Sequence, residues 1–253
     1  LPNDKTSWEN LNIMFSTSKG TVRRNALSDF IKIQSSGKIA MKLSDDDKLI
    51  GVHTCIEKEN DVFLSTKEGK CLRFPISNVR KFSGRNSVGV RGIRLSKDDM
   101  VISMYILKHA KFTIDERNDY LKIANAIRRK ELRRSTPFNK LSKGTQLSEN
   151  KFVEMENIEE FILSIADNGF GKRSSAYEYR ITSRGGKGIA NMSVNKKTGK
   201  VVSSFPVNEK DDIMLIAGTG KLIRSPVNKI RISGRTTQGV TLFKVESSEK
   251  VLS

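Results

Sequence analysis

The sequence predicts an all-β, propeller-like fold: about four four-stranded blades of some fifty residues each, with one partly helical insertion. Three observations predict it. One segment recurs with a period near fifty residues. Each copy carries a glycine with an arginine four positions later. The flanking residues have the length and alternation of short strands.

The four copies are IMFSTSKGTVRRNAL from Ile13, VFLSTKEGKCLRFPI from Val62, FILSIADNGFGKRSS from Phe161 and IMLIAGTGKLIRSPV from Ile213. Their glycines are Gly20, Gly69, Gly169 and Gly220, separated by 49, 100 and 51 residues, and the arginines are Arg24, Arg73, Arg173 and Arg224. In each copy an apolar run reads as a buried strand. The glycine reads as the positive-φ residue of a hairpin turn, and an alternating return strand follows. A second hairpin is expected around Gly37, Gly89, Gly188 and Gly239. Pro75 and Pro226 cannot donate to a ladder, so they mark strand ends or edges. One domain over 1–253 follows, with approximate blades 1–50, 51–107, 158–207 and 208–253.

Residues 108–157 lack the pattern and read as an insertion. The stretch DERNDYLKIANAIRRKELRR has helical spacing, and a helix near 118–134 is expected to be the only substantial one. From Lys108 to Lys151 there are 12 Lys and Arg against 5 Asp and Glu, a large share of the chain's +18. A solvated surface insert and an accessory DNA-contacting arm both fit.

Forty-six Lys and Arg against 28 acids mark a polyanion binder. No apolar run is long enough to span a membrane, and no basic amphipathic anchor is evident. The chain reads as intracellular, and its start at Leu1 as a piece of a longer polypeptide. Two cysteines, Cys55 and Cys71, build no disulfide scaffold, and His53 beside Cys55 reads as packing rather than zinc ligation.

ITSRGGKGIAN, residues 181–191, resembles a phosphate loop. A nucleotide P-loop requires GxxxxGK[ST] between a strand and a helix, whereas β sequence follows here. The repeat register instead makes Arg184, Gly185, Gly186, Lys187 and Gly188 a variant of a turn present in every unit. Such turns let backbone N–H groups approach phosphate, with side-chain cations adding charge. Lys38, Arg85, Arg91 and Arg235 lie in the corresponding turns, and Lys172 follows the Gly169 hairpin. Together with the four plus-four arginines they are the candidate DNA contacts of a curved cationic track. Its contacts would be phosphate-dominated and salt-sensitive.

GVRGIRL at Gly89–Leu95, GRTTQGV at Gly234–Val240, NGFGKRSSAYEY at Asn168–Tyr179 and STKEGKCLRF carry a resemblance to the C-terminal domain of bacterial DNA gyrase A. It covers nearly everything outside the insertion. The resemblance implies a β-pinwheel with strands exchanged between neighbouring blades, and a basic rim that wraps double-stranded DNA in support of ATP-dependent negative supercoiling. It implies, as partners, the gyrase A N-terminal core and gyrase B in an A2B2 holoenzyme. It further implies a cytoplasmic, nucleoid-associated location, and no cofactor on these residues, ATP and Mg²⁺ belonging to gyrase B. The family's signature box, Gln-Arg-Arg-Gly-Gly-Lys-Gly, is degenerate here, with Thr182 and Ser183 at its first two positions. The corresponding C-terminal domain of topoisomerase IV is the alternative within the family. A protein-binding propeller is the alternative outside it, and that reading predicts a neutral or acidic rim.

No catalytic residue is assigned. Strand cleavage by a type II topoisomerase needs a tyrosine beside an arginine, and none of Tyr105, Tyr120, Tyr177 and Tyr179 follows one. The acids of SDDD and KDD recur at unit junctions and read as turn residues.

Overall fold

The computed structural model describes residues 2–32, 34–84, 86–129, 133–246 and 249–252. The first unit contains β1 (Asn12–Thr17), β2 (Thr21–Ala26) and β3 (Leu49–Cys55). The second contains β4 (Asn60–Thr66), β5 (Lys70–Pro75), β6 (Val90–Arg91) and β7 (Val101–Lys108). Three helices follow: α1 (Ile114–Arg128), α2 (Phe138–Leu141) and α3 (Glu149–Ile158). The third unit contains β8 (Phe161–Ala166), β9 (Phe170–Ser175), β10 (Ile189–Ala190) and β11 (Val201–Val207). The fourth contributes β12 (Asp212–Ile216), β13 (Leu222–Pro226) and β14 (Val240–Thr241).

Each repeat glycine sits at the hairpin turn with positive φ, and the hairpins pair antiparallel in one common register. The second hairpin expected within each unit does not form. The short strands near Gly89, Gly188 and Gly239 leave their own unit and pair with the preceding sheet, β6 on β2, β10 on β5 and β14 on β9. The sheets therefore run β3-β1-β2-β6, β7-β4-β5-β10 and β11-β8-β9-β14, with β12-β13 alone. Near Gly37 no strand is formed among the described residues. Strand β7 contacts both β3 and β11, and the exchanged strands β6, β10 and β14 lie at the opposite edge of their sheets. This is the strand exchange of a β-pinwheel.

The exchange has a fixed anchor. The carbonyls of Gly20, Gly69 and Gly169 each accept two amides from the next unit: Gly92 and Ile93 on Gly20, Asn191 and Met192 on Gly69, Leu242 and Phe243 on Gly169. Apolar strand faces fill the seams. Met14, Leu64, Phe74 and Met104 lie in the first seam, Phe63, Leu107, Ile162 and Tyr179 in the second, and Leu163, Leu215 and Phe243 in the third.

The helical expectation is corrected in two ways. α1 begins at Ile114 because Thr113 and Glu116 form a capping box, each side chain bonding the other's backbone amide. α3 is a second substantial helix, capped by Ser148 and burying Phe152 and Met155. These side chains share a core with Tyr120, Ile123 and Tyr177, which fastens the helices to the third unit. No helix among the described residues is long and apolar enough to cross a membrane.

Candidate nucleic-acid interface

The plus-four arginines occupy one register position, opposite Met14, Phe63, Leu163 and Met214. Three of them are not at the surface. Arg24, Arg73 and Arg173 are 4%, 2% and 4% exposed, because a segment of the next unit lies against each strand, bridging Lys81, Ile181 and Ile232 respectively. Arg73 pairs with buried Asp61 at 2.8 Å and donates to the carbonyls of Ala176 and Lys108. Arg173 donates to the carbonyls of Ile230 and Asn228, and Arg24 pairs with Glu57. These groups brace seams and do not present charge to a ligand, which corrects the expectation for them. Arg224 on β13 is bridged by no further segment among the described residues. It is exposed and pairs with Asp212.

Lys172 is likewise corrected. It is wholly buried, and its Nζ donates to Ser174 Oγ and to the carbonyls of Asn191, Gly234 and Arg235 at 2.7–3.0 Å. Burial pushes its pKa down to about 7. Arg23 holds the same place after Gly20 and reaches Ser87 and the carbonyl of Gly84 in the next turn. Both cations hold a rim turn from beneath. Lys38 is half-buried and bonds the carbonyls of Asp29 and Lys32 in its own loop. Arg85 lies outside the described residues.

The stretch 181–191 is pinned at both ends. Thr182 donates its amide to the Arg73 carbonyl at 2.9 Å. The Asn191 side chain lies in a buried network with Ser65, Ser164, Ser204 and Tyr179. Between these anchors Gly188 has φ +73°, and a Cβ there would fall 2.6 Å from the Cys71 carbonyl, so only glycine lets the turn close on β5. Arg184 donates to the carbonyls of Asn78 and Arg91 at 2.8 and 3.0 Å. Arg235 donates to the Ala190 carbonyl at 2.6 Å. Each of these turns is therefore tied to the exchanged strand of the turn before it. Gly185, Gly186 and Lys187 form the tip, with Lys187 exposed, as is Arg91.

A set of cations that the sequence reading missed stands eleven residues after the hairpin glycines: Arg80, Arg180 and Arg231. All three are exposed, and each directly precedes the residue that bridges to a plus-four arginine. In the first unit the position is Ile31. The signal was present in the same repeat as the plus-four arginines, but only burial separates the two sets. A recess of about 270 Å³ lies between Arg180 and Lys187, floored by Leu72 and Ile189.

The remaining polar candidates serve the fold. Asp47 accepts from Ser18, Lys19 and Lys48, and Asp99 from Glu68 and Met100, so these acids close turns. No cluster of metal-ligating side chains occurs among the described residues. Burial raises the thiols of Cys55 and Cys71 to about 12. Tyr120, Tyr177 and Tyr179 are buried and hydrogen-bonded to Glu159, Met155 and Asn191.

A family profile described as DNA gyrase C-terminal domain, beta-propeller, matches residues 11–56, 60–108, 160–208 and 211–253. The DNA gyrase A protein of Rickettsia bellii (strain RML369-C) is 53% identical over 253 residues, 100% of this chain and 28% of its own length. That of Escherichia coli (strain K12) is 33% identical over 244 residues, 96% of this chain and 22% of its own. The chain thus spans about a quarter of the length of the curated relatives it matches. Among solved structures, the DNA gyrase A C-terminal domain aligns with TM-score 0.69 at 21% identity, covering 100% of this chain and 67% of that one. The C-terminal domain of DNA topoisomerase IV aligns with TM-score 0.72 at 20% identity, covering 100% and 62%. Those two likenesses concern the fold alone.

Proposed function

Because the chain belongs to the DNA gyrase C-terminal domain family, we propose that it is an arc of that domain which binds and bends duplex DNA along its outer edge, without sequence preference. The observation that carries this reading is the row Arg80, Arg180 and Arg231. The pinwheel repeats one exposed guanidinium at one place on three successive units. A row of point charges spaced by a structural repeat suits a polymer of phosphates. It reads the backbone and leaves base edges untouched. The turns add Arg91 and Lys187, and the hydrogen bonds of Arg184 and Arg235 fix the turns relative to one another. The buried cations Arg73, Arg173 and Lys172 act indirectly, by holding the seams that set the curvature of the row.

In this reading the bent duplex is delivered to the core of a gyrase A2B2 assembly in the bacterial cytoplasm. Strand cleavage and ATP hydrolysis, with its Mg²⁺, belong to other parts of that assembly. A gyrase assignment is favoured over topoisomerase IV by the 53% and 33% identities to DNA gyrase A proteins. The test is duplex binding by this chain across salt concentrations, followed by ligation of nicked circles in its presence. We expect binding at ~50 mM salt that weakens steeply as salt rises, equal affinity for unrelated sequences, and a shifted linking number after ligation. Absence of binding at ~50 mM salt, or a strong preference for one sequence, overturns the proposal.

A further inference from the structure

We propose that two rows of cations hold the duplex, one on each of its phosphate strands: Lys42, Arg94 and Lys244 form a second row beside Arg80, Arg180 and Arg231, and Lys196 fills its gap at the third unit. This rests on the duplex-binding reading above and assigns that site its contact to the second strand.

The second row is a repeat position. Each member stands five residues after a rim-turn glycine: Lys42 after Gly37, Arg94 after Gly89 and Lys244 after Gly239. The third unit has Ser193 there. The backbone fixes the position. The amides of Lys42, Arg94 and Ser193 donate to the carbonyls of Ser87, Gly186 and Thr237, each two residues before the glycine of the next rim turn. All three cations are exposed, and their side chains make no hydrogen bond or ion pair among the described residues.

The two rows lie at opposite ends of the segment that one unit lays on the preceding sheet. Arg80 directly precedes Lys81, which bridges to Arg24, whereas Arg94 directly follows Ile93, whose amide bonds the Gly20 carbonyl. Arg231 and Lys244 are placed in the same way against Arg173 and Gly169. Gly20 and Arg24 are four residues apart, so the rows are separated by roughly 13 Å at about 3.3 Å per strand residue. That is comparable with the ~12 Å width of the major groove of B-DNA. Two rows at this spacing match the two phosphate strands that flank one groove.

Charges beyond the second row bound the path. The junction turns of the first two units carry exposed Asp45, Asp46 and Asp98, which repel a backbone that strays past Lys42 or Arg94. Counted from the rim glycine, the third unit has Lys196 and Lys197 at these places. Lys196 is exposed, with no side-chain partner among the described residues. Lys197 lies over the Phe170 ring, 5.5 Å from its centroid. Both share one recess with Lys244, so the charge missing at Ser193 is restored in the next turn. Lys200 and Lys250 do not add to it, because Glu68 and Asn168 engage them.

Salt titrations with duplex and with single-stranded DNA of the same length test this. One variant combines Lys42→Ala, Arg94→Ala, Lys196→Ala and Lys244→Ala. The other combines Arg80→Ala, Arg180→Ala and Arg231→Ala. Far-UV circular dichroism and melting confirm the fold of both. On duplex, the second-row variant should lower the slope of log K against log salt by about four. On a single strand, which the first row holds by itself, its slope should fall by about one or less. A parental duplex slope in the second-row variant, while the first-row variant weakens, overturns the second row and leaves the first standing. If both variants match the parent, both readings fall. A second-row variant that loses as much slope on single-stranded DNA as on duplex overturns the assignment of one row to each strand.

Discussion

Arg73 and Asp61 form an ion pair of 2.8 Å in which the arginine is 2% exposed and the aspartate wholly buried. His109 bonds the other oxygen of the same carboxylate at 2.7 Å. A charge sealed in this way is retained because it is paired, and removing one partner leaves the other uncompensated. Arg73→Ala should therefore cost about 3–5 kcal/mol of unfolding free energy. Arg224→Ala, at the same register position but exposed with its partner Asp212, should cost at most about 1 kcal/mol. Urea denaturation of the two variants checks this. Similar losses would mean that the seam does not depend on the buried pair.

The exposed row makes the opposite prediction. Arg80→Ala, Arg180→Ala and Arg231→Ala remove side chains from solvent, so each should change stability by less than ~0.5 kcal/mol. Each should nevertheless lower the slope of log K against log salt by about one, and the triple variant by about three, equally on unrelated duplexes. Fluorescence anisotropy across a range of salt concentrations resolves this. A triple variant that keeps the parental slope would place the DNA elsewhere on the molecule.

Two hairpin glycines in equivalent positions should respond unequally to alanine. Both have positive φ, which costs an alanine roughly 1–2 kcal/mol. At Gly220 a Cβ meets nothing within 4 Å, so that cost is the whole effect. At Gly169 the Cβ would lie 1.8 Å from the Phe243 carbonyl, in the segment whose amides bond the Gly169 carbonyl. Gly169→Ala must displace the exchanged strand, and a loss of roughly 3 kcal/mol or more is expected. Hydrogen exchange at the Leu242 and Phe243 amides should accelerate in Gly169→Ala and remain unchanged in Gly220→Ala. Equal behaviour would show that docking of the exchanged strand does not depend on this contact.

The repeat, the hairpins and the all-β class were legible in the sequence because apolar runs, turn glycines and return-strand alternation are local signals. Strand exchange was not legible in the residues alone. β6 and β10 are two residues long, and their partners lie in another unit, so no local pattern marks where they pair. α3 escaped because its apolar face is just Phe152 and Met155, which carry meaning only against Tyr120 and Tyr177. At the candidate interface, Arg73 and Arg180 are indistinguishable as letters in a repeat. The next unit covers one and leaves the other bare, and a single sequence does not encode that difference in any short window. The 181–191 turn was read as a shared structural turn, and its place in the chain of Arg184 and Arg235 contacts agrees. Arg184 directs its hydrogen bonds to carbonyls within the fold, so Lys187 is the better candidate for contact.

Lys172 should give the fold a measurable pH dependence. Burial pushes its pKa down to about 7, from 10.5 for a free lysine. Between those values the unfolded chain binds a proton that the folded chain has released, so unfolding free energy rises with pH across that interval. One proton contributes at most about 1.4 kcal/mol per pH unit. Cys55 and Cys71 act in the opposite sense, and only above about 9: their folded thiols are raised to about 12, so the unfolded chain ionises first and unfolding free energy falls as pH rises. There they oppose the lysine, so the clean interval is pH 7 to 9. Lys172→Met also removes the bonds to the carbonyls of Asn191, Gly234 and Arg235, so its stability falls at every pH, and the informative quantity is the slope. The parent should gain stability from pH 7 to 9, and the variant should gain less by about one proton's worth. Identical slopes in urea denaturation at pH 7, 8 and 9 would mean that the four acceptors around Nζ keep the ammonium charged, and that burial alone does not set its protonation.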